Sequence, residues 1–113
     1  MAAAIDPRTH IGHVHLKVAD IGRALDFYVG VLGFELQQRM GEDAAFISAG
    51  DYHHHIGLNT WQSRGGSPPP PGHTGLFHFA ILAPAVDFAR IEEVLLLTGE
   101  TLQDLAAAFA TDG

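Results

Sequence analysis

Alternation of apolar and polar positions is clearest over residues 11–20, IGHVHLKVAD. Val14, Leu16 and Val18 fall on one face of a strand, and His13, His15 and Lys17 on the other. A second run, GLFHFAIL over residues 75–82, sets Phe77, Phe79 and Ile81 against His78, Ala80 and Leu82. Each run is followed by helical spacing. Asp20 is an N-cap for a helix reaching about Leu32, with Ile21, Leu25, Tyr28 and Leu32 as its apolar stripe and Gly33 as a left-handed C-cap. A second helix over 85–97 carries Phe88, Ile91 and Leu95. Between the two units lie three strand candidates, 34–40, 44–49 and 53–61, with turns at Gly41-Glu42-Asp43 and Gly50-Asp51.

The chain therefore divides into residues 10–61 (strand, helix, three strands), a Gly/Pro-rich linker over 62–74, and residues 75–113. The linker holds four successive prolines, Pro68 to Pro71, which cannot join a central ladder. The third part restarts the strand–helix order and then departs from it. Thr101 and Asp104 open a further helix over 102–110 in place of more strands. The expected class is α+β, a βαβββ module followed by an incomplete second module of strand, helix and a further helix.

Composition adds exclusions. A chain of 113 residues with 47% apolar and 17% charged residues is a one-domain globular protein. Its net charge of −7, with six Lys plus Arg, argues against nucleic-acid and anionic membrane partners. With no cysteine there is no disulfide, zinc–thiolate site or thiol nucleophile. The first residues lack a basic, long-apolar leader and no apolar run reaches membrane length, so the expected location is cytoplasmic. Eight histidines are the unusual count. Histidine is both the commonest metal ligand and the side chain suited to proton transfer near neutral pH. Two imidazoles brought together from the separate strands, His13 or His15 with His78, would make two thirds of a non-haem iron site whose third member is a carboxylate.

The combination of His13, Leu16, Val18 and Asp20 with Ala24, Phe27-Tyr28 and Leu32-Gly33-Phe34 resembles the vicinal oxygen chelate superfamily. Its members include glyoxalases, extradiol dioxygenases and bleomycin-resistance proteins. The run from His53 to Trp61, the prolines and the Gly75 to Ile81 segment resemble the catechol 2,3-dioxygenase-like branch. The resemblance covers about residues 10–97 and implies two βαβββ modules curved around a divalent metal. It implies His13 and His78 as metal ligands, with His15 a neighbour of His13 or an alternative ligand. The extradiol pattern placed on His53-His54-His55-Ile56-Gly57-Leu58 gives His54 the acid–base role, with His55 beside it. Strand parity opposes this, grouping His53, His55, Gly57, Asn59 and Trp61 on the polar face, and a bulge would reconcile the two.

The family's third ligand is a glutamate on the last strand of the second module, and the sequence ends before such a strand. The carboxylates after His78 are Asp87, Glu92, Glu93, Glu100, Asp104 and Asp112. Either that ligand is lost, or another chain supplies it. The expected function is a metal-dependent extradiol dioxygenase-like protein acting on a small catechol-type aromatic, with iron(II) as the metal and manganese, zinc or nickel as substitutes. With its metal site incomplete, the short chain is expected to cleave rings weakly if at all. The alternatives are a glyoxalase-like isomerase or lyase and a non-catalytic small-molecule binder of the antibiotic-sequestering kind. Phe46 and Trp61 are candidate pocket walls. The uncovered second module predicts a homodimer or larger, which light scattering reads.

Overall fold

Asp20 starts the first helix as the sequence predicts: its Oδ1 accepts the Arg23 backbone N–H at 2.7 Å. In the computed structural model, which describes residues 3–98 without the side chains of residues 88 and 94–98, α1 (Ile21–Leu25) is a short α-helix. It widens at once into a π-helical segment, Asp26–Val31, followed by the bond from Leu32 N–H to the Phe27 carbonyl at 3.0 Å. The extra residue per turn rotates the helix phase. The buried residues here are Ile21, Ala24, Phe27, Tyr28 and Val31, while Leu25 and Leu32 of the expected stripe are only half-buried. Gly33 ends the segment at φ +91, a conformation that costs a side chain strain. Arg90 lies over this glycine and donates to the Leu32 carbonyl at 2.6 Å.

Among the described residues, four strands form one mixed sheet: β1 (Val14–Lys17), β2 (Glu35–Met40), β3 (Ala44–Ser48) and β4 (Ile56–Asn59). Their spatial order is β1-β4-β3-β2, with β1 parallel to β4 and the other pairs antiparallel. This is the predicted βαβββ module in an α+β fold. Leu16, Val18, Ala45, Ile47, Ile56 and Leu58 face the helix and are buried with it. Alternation leaves His15, Lys17, Phe46, Gly57 and Asn59 on the opposite face.

Three expectations change at the ends of elements. The third strand candidate shrinks from 53–61 to Ile56–Asn59, so His53, His54 and His55 precede the ladder. Residues 62–65 of the expected linker are docked. Gly65 N–H donates to the Ala19 carbonyl at 2.9 Å, Ser63 Oγ donates to the Val18 carbonyl at 2.8 Å, and Arg64 pairs with Asp43. The expected strand over 76–82 is absent. A strand exists through its ladder, and no described strand pairs with this segment. Its alternation is not expressed as burial on one face either: Phe79 packs on the core, whereas Phe77 is 93% exposed. The following helix, α2 (Ala85–Thr98), forms as predicted and packs Ile91 on the core. The expected helix over 102–110 lies outside the described residues.

Candidate functional site

The backbone pins the histidine triplet between two strands. His55 N–H donates to the Ile47 carbonyl at 2.8 Å, and the His55 carbonyl accepts Val14 N–H at 3.0 Å. His53 and His54 are thereby held beside His13, the residue preceding β1. Ring centroids lie 4.5 Å apart for His13 and His54, 4.6 Å for His53 and His54, and 6.1 Å for His13 and His53. One nitrogen from each ring lies within 4.8 Å of the others. Among the described residues this is the one group of three His, Cys, Asp or Glu side chains so close together.

Of the residues expected from sequence, the structure brings His13 and His54 together, adds His53, and leaves His78 elsewhere. His78 is exposed, its ring 5.3 Å from that of Phe77. His55 is turned to a structural task. Its Nδ1 accepts the Ala49 backbone N–H at 3.1 Å, and its ring lies 4.4 Å from Tyr52. No bulge is needed to reconcile parity with the triplet, because parity applies only within the ladder, which starts at Ile56. His53 was the residue hardest to single out, since the signal for it was only its place in the triplet.

The donor set suits a divalent cation. Three neutral imidazoles bind zinc and related ions at about 2.0–2.1 Å, and nitrogens within 4.8 Å of one another would have to draw closer around such an ion. His54 is held below the ordinary imidazole pKa of about 6.5, first by burial and then by the neighbouring His13, His53, His15 and His55. Its lone pair is therefore available at neutral pH. The folded form binds fewer protons here than the unfolded chain. The corresponding stability is present above the unfolded value and is lost as pH falls through the folded one. In an NMR titration the His54 ring should accordingly titrate below 6.5, and His13→Ala should raise the midpoint by removing burial and a like charge. A midpoint at the ordinary value, unmoved by His13→Ala, would contradict this account of the cluster.

The cluster continues into an aromatic surface. Phe46 lies 5.1 Å from the His54 ring and 6.1 Å from that of His15, and Trp61 lies 6.0 Å from His15. A separate apolar cleft of about 1080 Å³ lies towards α2, lined by Phe34, Ile56, Phe79, Ile81 and Ile91 among others. His13 borders it, but His53 and His54 do not.

A family model described as the Glyoxalase/Bleomycin resistance protein/Dioxygenase superfamily matches residues 10–92. The chain belongs to that superfamily. A catechol-2,3-dioxygenase of Bacillus subtilis (strain 168) is 47% identical over 77 residues, covering 67% of this chain and 27% of that protein. The chain thus spans little more than a quarter of the length of this curated relative. Among the described residues, no helix of this superfamily member is long and apolar enough to cross a membrane.

Proposed function

We propose that the chain is a metal-dependent, catechol-binding module of an extradiol dioxygenase-like protein. The observation that carries this reading is the His13–His53–His54 cluster beside the Phe46, His15 and Trp61 surface. Its support from relatives is the 47% identity over 77 residues to a catechol-2,3-dioxygenase. Three neutral imidazoles bring no negative charge, so a divalent ion held by them would keep its two positive charges. An anionic catecholate is the ligand that compensates them best. When bound, the ion supplies Lewis acidity and open positions for catechol and dioxygen. His13, His53 and His54 would hold that ion, and Phe46 and Trp61 offer flat apolar surface beside it. The net charge of −7 favours cation capture. Iron(II) is the metal this chemistry calls for, and manganese, zinc and nickel accept the same nitrogen donors.

The test is an anaerobic catechol titration of chelator-treated and iron(II)-loaded protein, followed by air. Opposite charges about 4 Å apart attract by ~4 kcal/mol at the screening of a protein surface, so iron should tighten catechol binding at least about tenfold. Air should then yield little yellow ring-fission product, because the histidine group contains no carboxylate to anchor the iron. Catechol affinity indifferent to iron would contradict the proposal. Robust turnover would show that a carboxylate beyond this group completes the site.

A further inference from the structure

On the sheet face opposite α1, strand register aligns His15, Gly57 and Phe46 in one row across three strands. The His15 ring lies over the bare Gly57 backbone, where a Cβ would come within 2.6 Å of Nδ1. The other ring nitrogen, Nε2, lies 2.7 Å from Asn59 Nδ2. The orientation of that amide is not free. Asn59 Oδ1 accepts the Trp61 backbone N–H at 3.1 Å, and a backbone N–H can only donate. The amide NH₂ must therefore face His15, and it too can only donate. Nε2 is then the acceptor, and the proton of the neutral ring resides on Nδ1. A main-chain amide two residues beyond Asn59 thus dictates a tautomer on another strand. Among the described residues, this Nδ1–H has no hydrogen-bond partner, while the ring centroids of Phe46 and Trp61 lie 6.1 and 6.0 Å from that of His15.

We propose that Asn59 is a positioning residue that locks His15 as an Nδ1–H donor for an oxygen of a planar, catechol-type aromatic ligand. The ligand class rests on the function proposed above; the donor does not depend on a bound metal. Gly57 belongs to the same device, since it leaves the space in which the His15 ring lies flat.

The test uses ¹⁵N-labelled, chelator-treated protein and catechol as the probe. Imidazole ¹⁵N–¹H correlation spectra should show the His15 proton on Nδ1. In Asn59→Asp, the carboxylate still accepts from Trp61 but can only accept from His15, so the proton should move to Nε2. Asn59→Leu should leave a mixture of tautomers. Millimolar catechol should shift the Nδ1 resonance of the parent. It should bind about tenfold more weakly to Asn59→Asp, the scale of one hydrogen bond, and more weakly to Asn59→Leu only in proportion to the rings that lose the Nδ1 proton. Gly57→Ala, which displaces the ring without altering residue 59, should lose catechol affinity to a similar degree and serves where an Asn59 variant fails to fold. A parent spectrum with the proton on Nε2, a His15 signal unmoved by catechol, or full catechol affinity in Gly57→Ala would each overturn the proposal. Because the spectra are recorded without metal, failure of iron to bind would overturn the metal reading alone.

Discussion

Replacing any one of His13, His53 or His54 by alanine is expected to weaken divalent-metal binding by roughly 100-fold. Loss of a partner that merely supports a ligand typically costs 10–100-fold, so loss of a ligand itself belongs at the top of that range. The three rings also share their burden: none is backed by a carboxylate within the group, and each supplies one nitrogen. Removing one leaves two neutral donors and water. His78→Ala should change affinity by less than about twofold, because its exposed ring lies outside the cluster. Calorimetric titration with zinc separates this from the pairing of His13 with His78 that the family resemblance implies. In that case His78→Ala would cost as much as His13→Ala, and His53→Ala would cost nothing. His10→Ala is the neutral control, since His10 lies outside the three-histidine cluster and its ring bonds the Arg8 carbonyl.

Leu58→Ala should destabilise the fold by about 2–5 kcal/mol, the cost of deleting a packed leucine and leaving a cavity. Leu58 is 0% exposed. It sits in register between Leu16 of β1 and Ala45 of β3, on the strand that joins the parallel and antiparallel halves of the sheet. Relaxation cannot refill the space from either side, because both neighbours are ladder residues fixed by backbone bonds. Against a total stability of about 5–15 kcal/mol for a domain of this kind, the loss should lower Tm by on the order of 10 °C. Lys17→Ala, on the exposed face of β1, should remain within about 0.5 kcal/mol of the parent. Chemical denaturation monitored by circular dichroism measures both. A loss under about 1 kcal/mol for Leu58→Ala would mean that the sheet does not form the core described here.

Much of the first module was legible from period alone. The alternation around Val14, Leu16 and Val18 is local, and the Asp20 cap is a contact three residues long. The π-helical widening after Leu25 was not legible, because a single wide turn leaves no compositional trace, and neither was the burial of Phe27 and Val31 in place of Leu25 and Leu32. Residues 76–82 failed in the opposite way. Their alternation is as regular as that of β1, but a ladder partner is a property of the whole sheet and not of the segment. At the site, sequence singled out His13 and His54 individually. It could not bring in His53, whose position depends on His55 being pinned to Ile47 and Val14. The tautomer of His15 was beyond it altogether, since that follows from Asn59 and the Trp61 backbone meeting β1 through parallel register.

The most direct measurement is the position of a bound ion by anomalous diffraction from crystals of the chain grown with zinc. The account predicts one peak at a ligand distance of about 2.0–2.1 Å from a ring nitrogen of each of His13, His53 and His54, with His78 unengaged. A peak bridging His13 and His78, or no peak at the three-histidine cluster, would contradict it.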